Sequence, residues 1–210
     1  RPLITLAFHR CGIPVYLSGN EEILQKSVIS TVLSAMEAAL GGFEQRSVLR
    51  YLRSVLSPLD PDTCDLVENY AVIWGVQGRK WMEEWKNHPE GLSGIFADET
   101  YRQLDLLNSA RTAIMEPLER LARGFREAGN LAGQVEAIYA FLEDLMLEQR
   151  LEDLATELDA AGNNREAQIL NQLWEILLTA MEQLYDTLGN TIWEPEAFSR
   201  LLKLLLSQFP

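Results

Sequence analysis

The sequence predicts an all-α protein, a multi-helix bundle with a short β/α fringe at its N-terminal end. Apolar residues recur with the helical period from about residue 21 to the C-terminus, and Gly, Asn and Pro fall between the periodic segments. Only residues 13–17 have a β-type pattern. The 210 residues are 47% hydrophobic, which is enough apolar material for one sizeable core.

The N-terminal fringe comprises residues 1–20. Residues 3–10 have the pattern of a helix end, with Gly12 as the left-handed terminating residue and Pro14 just beyond it. The β-type run Ile-Pro-Val-Tyr-Leu at residues 13–17 follows, and Ser-Gly-Asn ends it. The remaining residues, 21–210, are predicted to form one helical subdomain.

Three helices are expected next. The first covers residues 21–40 and is broken by two glycines, and the second runs from about residue 44 to 56. The third begins at Asp60, a good N-cap residue, followed by Pro61 in the first turn, where its missing N–H costs nothing. It extends to Trp74.

The stretch 75–97 is the least regular part of the sequence because Gly and Pro punctuate it. A long helix is then predicted from Asp98 to about residue 124–129, and Pro117 should kink it or split it in two. The last helices are expected at about residues 132–148, 150–161, 164–188 and 195–207.

The net charge of −13 argues against a freestanding nucleic-acid binder, which needs clustered Lys and Arg. The charge is unevenly distributed: residues 1–90 hold nine basic and eleven acidic residues, whereas residues 91–210 hold nine basic and twenty acidic residues. A polyanion contact is therefore expected in the first part, and the acidic part suits solvent or a protein partner.

Patterns that carry catalysis or bind metals are missing from the sequence. It has no GxxxxGK[ST] phosphate loop, no HExxH and no GxSxG. Cys11 and Cys64 lie far apart, as do His9 and His88, and each histidine is expected to be exposed or half-buried. We predict no catalytic residue, metal ligand or cofactor in this chain. We also expect the chain to be part of a longer protein, because it starts without Met inside an apparently structured segment and stops on an apolar stretch.

Two basic features stand out as candidate DNA contacts. Arg46, Arg50 and Arg53 are spaced to share one face of a helix, where they could touch a phosphate backbone. The alternative is a solvated face that pairs with Glu44 or with Asp60 and Asp62.

The second feature is a glycine-bounded loop that ends in Arg79, Lys80 and Trp81, with Trp85 following it. Two cations and an aromatic ring could hold a nucleic-acid strand by charge and stacking. The alternative is that Trp81 and Trp85 fill the core beneath an irregular loop.

Two segments carry a resemblance to known helicases. Residues 11–17, Cys-Gly-Ile-Pro-Val-Tyr-Leu, with the following helix and residues 48–54, resemble UvrD-type superfamily 1 helicases. Residues 66–81, Leu-Val-Glu-Asn-Tyr-Ala-Val-Ile-Trp-Gly-Val-Gln-Gly-Arg-Lys-Trp, are similar to the "ENY…WGI.G..W" signature of the AddB family, which belongs to the AddAB (RexAB) helicase–nucleases. The resemblance covers essentially the whole chain.

The resemblance implies a role in bacterial double-strand-break repair, in the cytoplasm and away from any membrane. It implies a heterodimer with an AddA-type helicase–nuclease subunit, and a parent complex that uses ATP, magnesium and a 4Fe–4S cluster. Residues 1–20 would be the edge of a RecA-like helicase domain and residues 21–210 an inserted 2B-type helical subdomain. None of the family's catalytic parts is present in this chain, so no catalytic residue is carried over.

Two functions stay open for such a segment. It could brace the DNA channel and contact DNA through the basic residues named above. Alternatively it could be a protein-interaction scaffold without direct DNA contact, which the strongly negative charge favours and which predicts an exposed apolar patch on the helices after residue 98.

Overall fold

The computed structural model describes the backbone of residues 21–206 and the side chains of residues 28–206. The predicted fringe over residues 1–20, with His9 and Cys11, lies outside the described residues. Within residues 21–206 the fold is all-α with no strand, as predicted. The helices are α1 (Glu21–Leu40), α2 (Gln45–Leu52), α3 (Pro61–Trp74), α4 (Asp98–Glu127), α5 (Leu131–Asp144), α6 (Leu147–Ala160), α7 (Asn164–Leu188) and α8 (Pro195–Leu206), with a 3₁₀ helix at Gly78–Trp81 between α3 and α4.

Helix α1 packs against several other helices of the bundle. It contacts α2, α4, α7 and α8, and its side chains from residue 31 to residue 39 are buried or half-buried apart from Glu37. Ser34, Ala35, Ala38 and Ala39 are all buried there, and such small side chains let the surrounding helices approach closely. Among the remaining helices, consecutive ones pack on each other, α4 on α5 and α6 on α7.

Helices α2 and α3 begin as the sequence predicts, but α2 ends earlier. Asp60 caps α3 by accepting a hydrogen bond from the Thr63 amide at 3.0 Å, and Pro61 lies in the first turn. Helix α2 ends at Leu52 instead of near residue 56. The Ser54 hydroxyl donates to the Tyr51 carbonyl at 2.6 Å, a local bond that competes with continuation of the helix.

Helix α4 is one continuous helix of 30 residues that contains Pro117, so the alternative of a split helix is wrong. Proline removes one backbone hydrogen bond, at a cost of about 3 kcal/mol in a helix interior. Pro117 is buried together with Met115 and Leu118 on the face that packs into the core. Burial of that face offsets the cost of the missing donor.

The break between α5 and α6 falls at Leu145 and Met146, earlier than the sequence predicts. Neither residue is a helix breaker, and Met146 adopts a left-handed backbone (φ 48°). The leucines on each side of it, Leu145 and Leu147, are both buried, so the corner points two neighbouring apolar side chains into the core. The turn at Gly162, by contrast, has the left-handed backbone expected of a glycine (φ 82°).

Candidate nucleic-acid interface

The fold brings the two basic features of the sequence to one place. The backbone N–H of Gly78 donates to the Phe43 carbonyl at 2.9 Å, which joins the turn before α2 to the 3₁₀ helix. Arg46 lies in the first turn of α2, and Arg79 directly follows Gly78. We call Arg46 and Arg79, with the turn 41–44 between them, the arginine junction.

The turn of the arginine junction has an unusual backbone. Gly42 (φ 67°) and Phe43 (φ 61°) are both left-handed, and for a residue with a side chain this conformation costs about 1–2 kcal/mol. The Phe43 side chain packs against the core, and its amide donates to the Ala38 carbonyl at 2.9 Å. Gln45 also ties the start of α2 to α3 by donating to the Ala71 carbonyl at 2.6 Å. These contacts fix the position of the exposed Arg46 on the surface of the bundle.

The three arginines of the predicted stripe have different surroundings. Arg46 is exposed and forms no ion pair with any residue from 28 to 206. Arg50 pairs with Glu37 of α1 at 2.5 Å. Arg53, which follows the last residue of α2, pairs with Asp65 at 3.3 Å and with Glu68, both on α3.

The carboxylates that pair with the stripe are not the ones expected from sequence. Glu44, Asp60 and Asp62 are near in sequence, whereas the observed partners lie on the helices that pack beside α2. The Glu68 hydrogen bond, more than its charge, raises the pKa of Arg53 further above its ordinary value. Arg50 and Arg53 therefore each have an anionic partner on a neighbouring helix, whereas Arg46 has none among the side chains of residues 28–206.

The two cations of the glycine-bounded loop also differ. Lys80 donates from Nζ to the carbonyls of Gly75 (3.1 Å) and Trp74 (3.4 Å), so it satisfies the free carbonyls at the end of α3. Arg79 is exposed and has no ion-pair partner among the side chains that the structure describes. Arg79 therefore resembles Arg46 in being exposed and in having no ion-pair partner among the described side chains.

Trp81 is fully buried, with none of its ring accessible. Its ring lies 5.7 Å from that of Trp85, which stacks on Tyr70 at 4.4 Å. Arg111 of α4 donates to the Trp81 carbonyl at 2.9 Å. The two tryptophans occupy the core beneath the loop, and a buried ring offers no face on which a base can stack.

The described residues do not fit a metal ion or an iron–sulfur cluster. From residue 28 to residue 206 no three His, Cys, Asp or Glu side chains are grouped to hold a metal. The buried Cys64 thiol lies 3.5 Å from both the Leu52 carbonyl and the Ser57 hydroxyl. His88 is buried rather than near the surface, and the loop 88–95 uses both of its ring nitrogens.

No helix in the described part of the chain has both the length and the apolar content needed to cross a bilayer.

No family model matches the sequence. Curated proteins do: the chain is 30% identical over 202 residues to the B subunit of the ATP-dependent helicase/deoxyribonuclease of Geobacillus kaustophilus, across 90% of this chain and 17% of that protein. The corresponding proteins of Clostridium acetobutylicum and Clostridium kluyveri are each 26% identical, across 95% and 99% of this chain and 18% of each relative.

The chain therefore spans less than a fifth of the length of the curated relatives it matches. The similarity runs through nearly the whole chain and is not confined to the residues 66–81 that first indicated it. The predicted resemblance to the AddB family is confirmed.

Proposed function

We propose that this chain is a non-catalytic helical segment of one subunit in a bacterial double-strand-break repair helicase–nuclease, where it braces the DNA channel. The supporting observation is the similarity, over 90% of the chain, to the B subunit of an ATP-dependent helicase/deoxyribonuclease. On this proposal ATP, magnesium and a 4Fe–4S cluster belong to other parts of the complex, and the partner is an AddA-type subunit in the cytoplasm. Residues 1–20 are the edge of a RecA-like domain, and residues 21–210 are its inserted 2B-type subdomain.

The DNA contact that we propose is the arginine junction. Arg46 and Arg79 are exposed, lack anionic partners in the described part of the chain, and flank one hydrogen-bonded turn. Arg50 lies one helical turn beyond Arg46 and could exchange Glu37 for a phosphate, because exposed ion pairs contribute little stability. Guanidinium groups bind phosphate oxygens in a bidentate manner, which makes arginine well suited to this contact.

The net charge of −13 affects whether this chain can bind DNA by itself. Repulsion between exposed charges is largely screened beyond about 8–10 Å at physiological salt, so the acidic helices do not cancel a local contact. They do oppose capture of DNA by this chain alone. The contact is therefore expected in the assembled complex, where other parts of the subunits hold the DNA.

The test is the salt dependence of DNA binding. In the complex of the full-length protein with its AddA-type partner, we expect Arg46→Ala with Arg79→Ala to weaken affinity for a DNA end by about 3- to 10-fold at 0.1 M salt. The slope of log affinity against log salt should become shallower by about 1–2, since each lost phosphate contact removes roughly 0.9. Arg123→Ala with Arg126→Ala, two exposed arginines of α4, is the matched control and should leave both quantities unchanged.

Two results would reject parts of this proposal. An unchanged affinity and slope in the Arg46 and Arg79 double variant rejects the DNA contact. ATPase activity or magnesium-dependent nuclease activity in purified residues 1–210 rejects the non-catalytic role.

The second candidate is a protein-interaction scaffold that makes no direct DNA contact. The observation that favours it is a group of exposed apolar side chains, among which Leu92 (95% exposed) and Ile95 (87% exposed) are the most accessible. These two residues lie in the loop before α4, whereas the scaffold hypothesis placed the apolar group on the helices after residue 98. The two candidates are compatible, because the apolar group and the arginine junction are formed by different residues.

A further inference from the structure

The loop between the 3₁₀ helix and α4 presents an apolar patch to solvent. The Phe96 ring lies 5.7 Å from the ring of Tyr101 in the first turn of α4. A Cβ at Gly91 would lie 3.6 Å from the Ile73 side chain, so the loop also runs beside α3. We call five exposed apolar residues the apolar loop surface: Ile73, Leu92, Ile95, Phe96 and Tyr101. Leu92 is the most exposed of them, and the exposed fractions of the other four side chains range from 47% to 87%.

Hydrogen bonds around the buried His88 hold the apolar loop surface in place. His88 is 8% exposed, and its Nδ1 accepts a hydrogen bond from the Glu90 amide at 3.1 Å. The other ring nitrogen, Nε2, lies 3.3 Å from both the Ile95 carbonyl oxygen and the Thr100 hydroxyl oxygen. Trp74 donates from its indole to the His88 carbonyl at 3.1 Å, and the Phe96 ring packs edge-on against the imidazole at 5.2 Å. These bonds fix both ends of the exposed segment.

Gly94 shows how closely the loop wraps around His88. A Cβ at Gly94 would lie 2.0 Å from Nδ1 of the His88 ring, which no side chain could occupy. The glycine is therefore required by this close approach. The contacts to His88 hold the loop in this conformation while its apolar side chains face water. Fixing a segment in one conformation costs conformational entropy. A surface that its own contacts already hold in place loses less entropy when it binds, which indicates a docking role.

The charges around the patch restrict what can cover it. Glu90, Asp98 and Glu99 are all exposed on the loop and the first turn of α4. Only Glu99 has a cationic partner among the described residues, Arg102 at 3.0 Å. This acidic rim and the net charge of −13 oppose both DNA and a second copy of the chain. A complementary occupant has an apolar centre with Lys and Arg around it.

The extent of the patch and the length of the relatives indicate where that occupant lies. Apolar side chains with an acidic rim suit the partly polar interfaces that form between domains of one chain. The chain accounts for only 17–18% of its relatives' length. A domain in the same polypeptide is tethered at an effective concentration that reaches the millimolar range, which a small surface can exploit.

We propose that the apolar loop surface docks onto an apolar surface rimmed by Lys and Arg in another domain of the same polypeptide. This inference rests on the proposed function in one respect, since it takes the chain as a segment of a longer protein. It does not depend on the arginine junction.

Cysteine accessibility tests this proposal. Leu92→Cys is introduced into residues 1–210 and into the full-length protein, and the rate of maleimide modification at that position is followed by peptide mass spectrometry. We expect fast modification in residues 1–210 and at least a tenfold slower rate in the full-length protein alone. Ile192→Cys, at a position that is 85% exposed outside the patch, is the control and should react equally fast in both.

A second variant tests whether docking is the cause. Ile95→Glu adds a charge to the apolar loop surface and should restore fast modification of Leu92→Cys in the full-length protein. A continued slow rate in that double variant would overturn the proposal, because the protection would then have another origin.

Four other results would also overturn the proposal. Protection that needs the AddA-type partner assigns the surface to that partner, and protection that needs DNA assigns it to nucleic acid. Protection that grows with the concentration of residues 1–210 assigns it to a second copy. Fast modification under all conditions shows that nothing covers the surface. None of these results bears on the arginine junction, which is tested by the salt dependence of the Arg46 and Arg79 variants.

Discussion

Arg150 joins two distant parts of the chain with a single side chain. From α6 its guanidinium donates to the Leu56 carbonyl at 2.8 Å and to the Ser57 carbonyl at 3.3 Å, in the loop between α2 and α3. Arg150 is partly buried, so its loss leaves carbonyls with poor access to water. We expect Arg150→Ala to lower the free energy of unfolding by about 1–3 kcal/mol in urea denaturation.

Arg102→Ala is the matched control for Arg150. Its partner Glu99 is 80% exposed and Arg102 itself 75% exposed, so this ion pair is largely solvated. The expected change is within about 0.5 kcal/mol. Equal losses in the two variants would show that the Arg150 bonds do not hold the loop.

Asp60 makes the stability of α3 depend on pH. The Thr63 hydroxyl, and after it the Thr63 amide, hold the pKa of the Asp60 carboxyl below its ordinary value. The unfolded chain therefore binds this proton more readily. The stabilisation is present above the pKa of the unfolded chain and is lost as the pH falls through the lower folded pKa.

Asp60→Asn tests the predicted direction in which stability changes with pH. Asparagine is also a good N-cap but does not titrate, so the variant should lose less stability than the wild type between about pH 5 and pH 3. Thr63→Ala should reduce the same pH dependence because it removes the principal hydrogen bond. Parallel pH profiles for all three proteins, measured by urea unfolding, would contradict the account.

Residue-level predictions from the sequence hold where the interaction is local. The Asp60 cap and the left-handed Gly162 follow from residue type and immediate neighbours. The partners of Arg50 and Arg53 could not be predicted, because Glu37 and Glu68 reach them from other helices. Burial of Trp81 was one of two open alternatives, and packing against Trp85 and Tyr70 decides between them.

At the scale of helices, α4 and α5 meet at a point where there is no room for a second methyl group. A Cβ at Gly124 would lie 2.6 Å from the Ala137 Cβ. Alanine favours a helix over glycine by about 1 kcal/mol, yet Gly124→Ala should destabilise the protein by about 1–2 kcal/mol because the two helices must move apart.

Two further variants make the Gly124 prediction specific. Adding Ala137→Gly to Gly124→Ala should recover most of the lost stability, because the colliding methyl group is removed. Gly129→Ala places its Cβ where no heavy atom lies within 4 Å and should be nearly neutral or slightly stabilising. The stability of all these variants is measured by thermal and urea unfolding. If Ala137→Gly does not restore the stability lost in Gly124→Ala, the close approach of α4 and α5 is contradicted.

Periodicity predicts the helices themselves well, and it fails where tertiary packing overrides local signals. Pro117 indicates a break, but α4 continues because its apolar face is buried on both sides of the proline. The α5–α6 corner has no glycine or proline, and Met146 adopts a left-handed backbone between two buried leucines. Neither outcome is encoded in the immediate neighbours of the residue concerned.

At the scale of the whole molecule, the described helices leave two exposed surfaces of different chemistry. The arginine junction forms because Gly78 bonds to Phe43, a pairing between distant segments that sequence spacing does not reveal. The sequence did indicate both sets of cations and their position in the less acidic part of the chain. It could not distinguish Arg46 and Arg79 from cations that already have carboxylate or carbonyl partners.

The most direct test of the DNA-channel role is photo-crosslinking in the complex of the full-length protein with its AddA-type partner, assembled on a DNA end. A benzophenone side chain is placed at position 46, 79 or 123 in separate proteins, and the crosslinked products are identified. We predict DNA crosslinks from positions 46 and 79 and none from position 123. Crosslinks from positions 46 and 79 to protein alone would contradict the DNA contact and leave the chain as a scaffold within the larger protein.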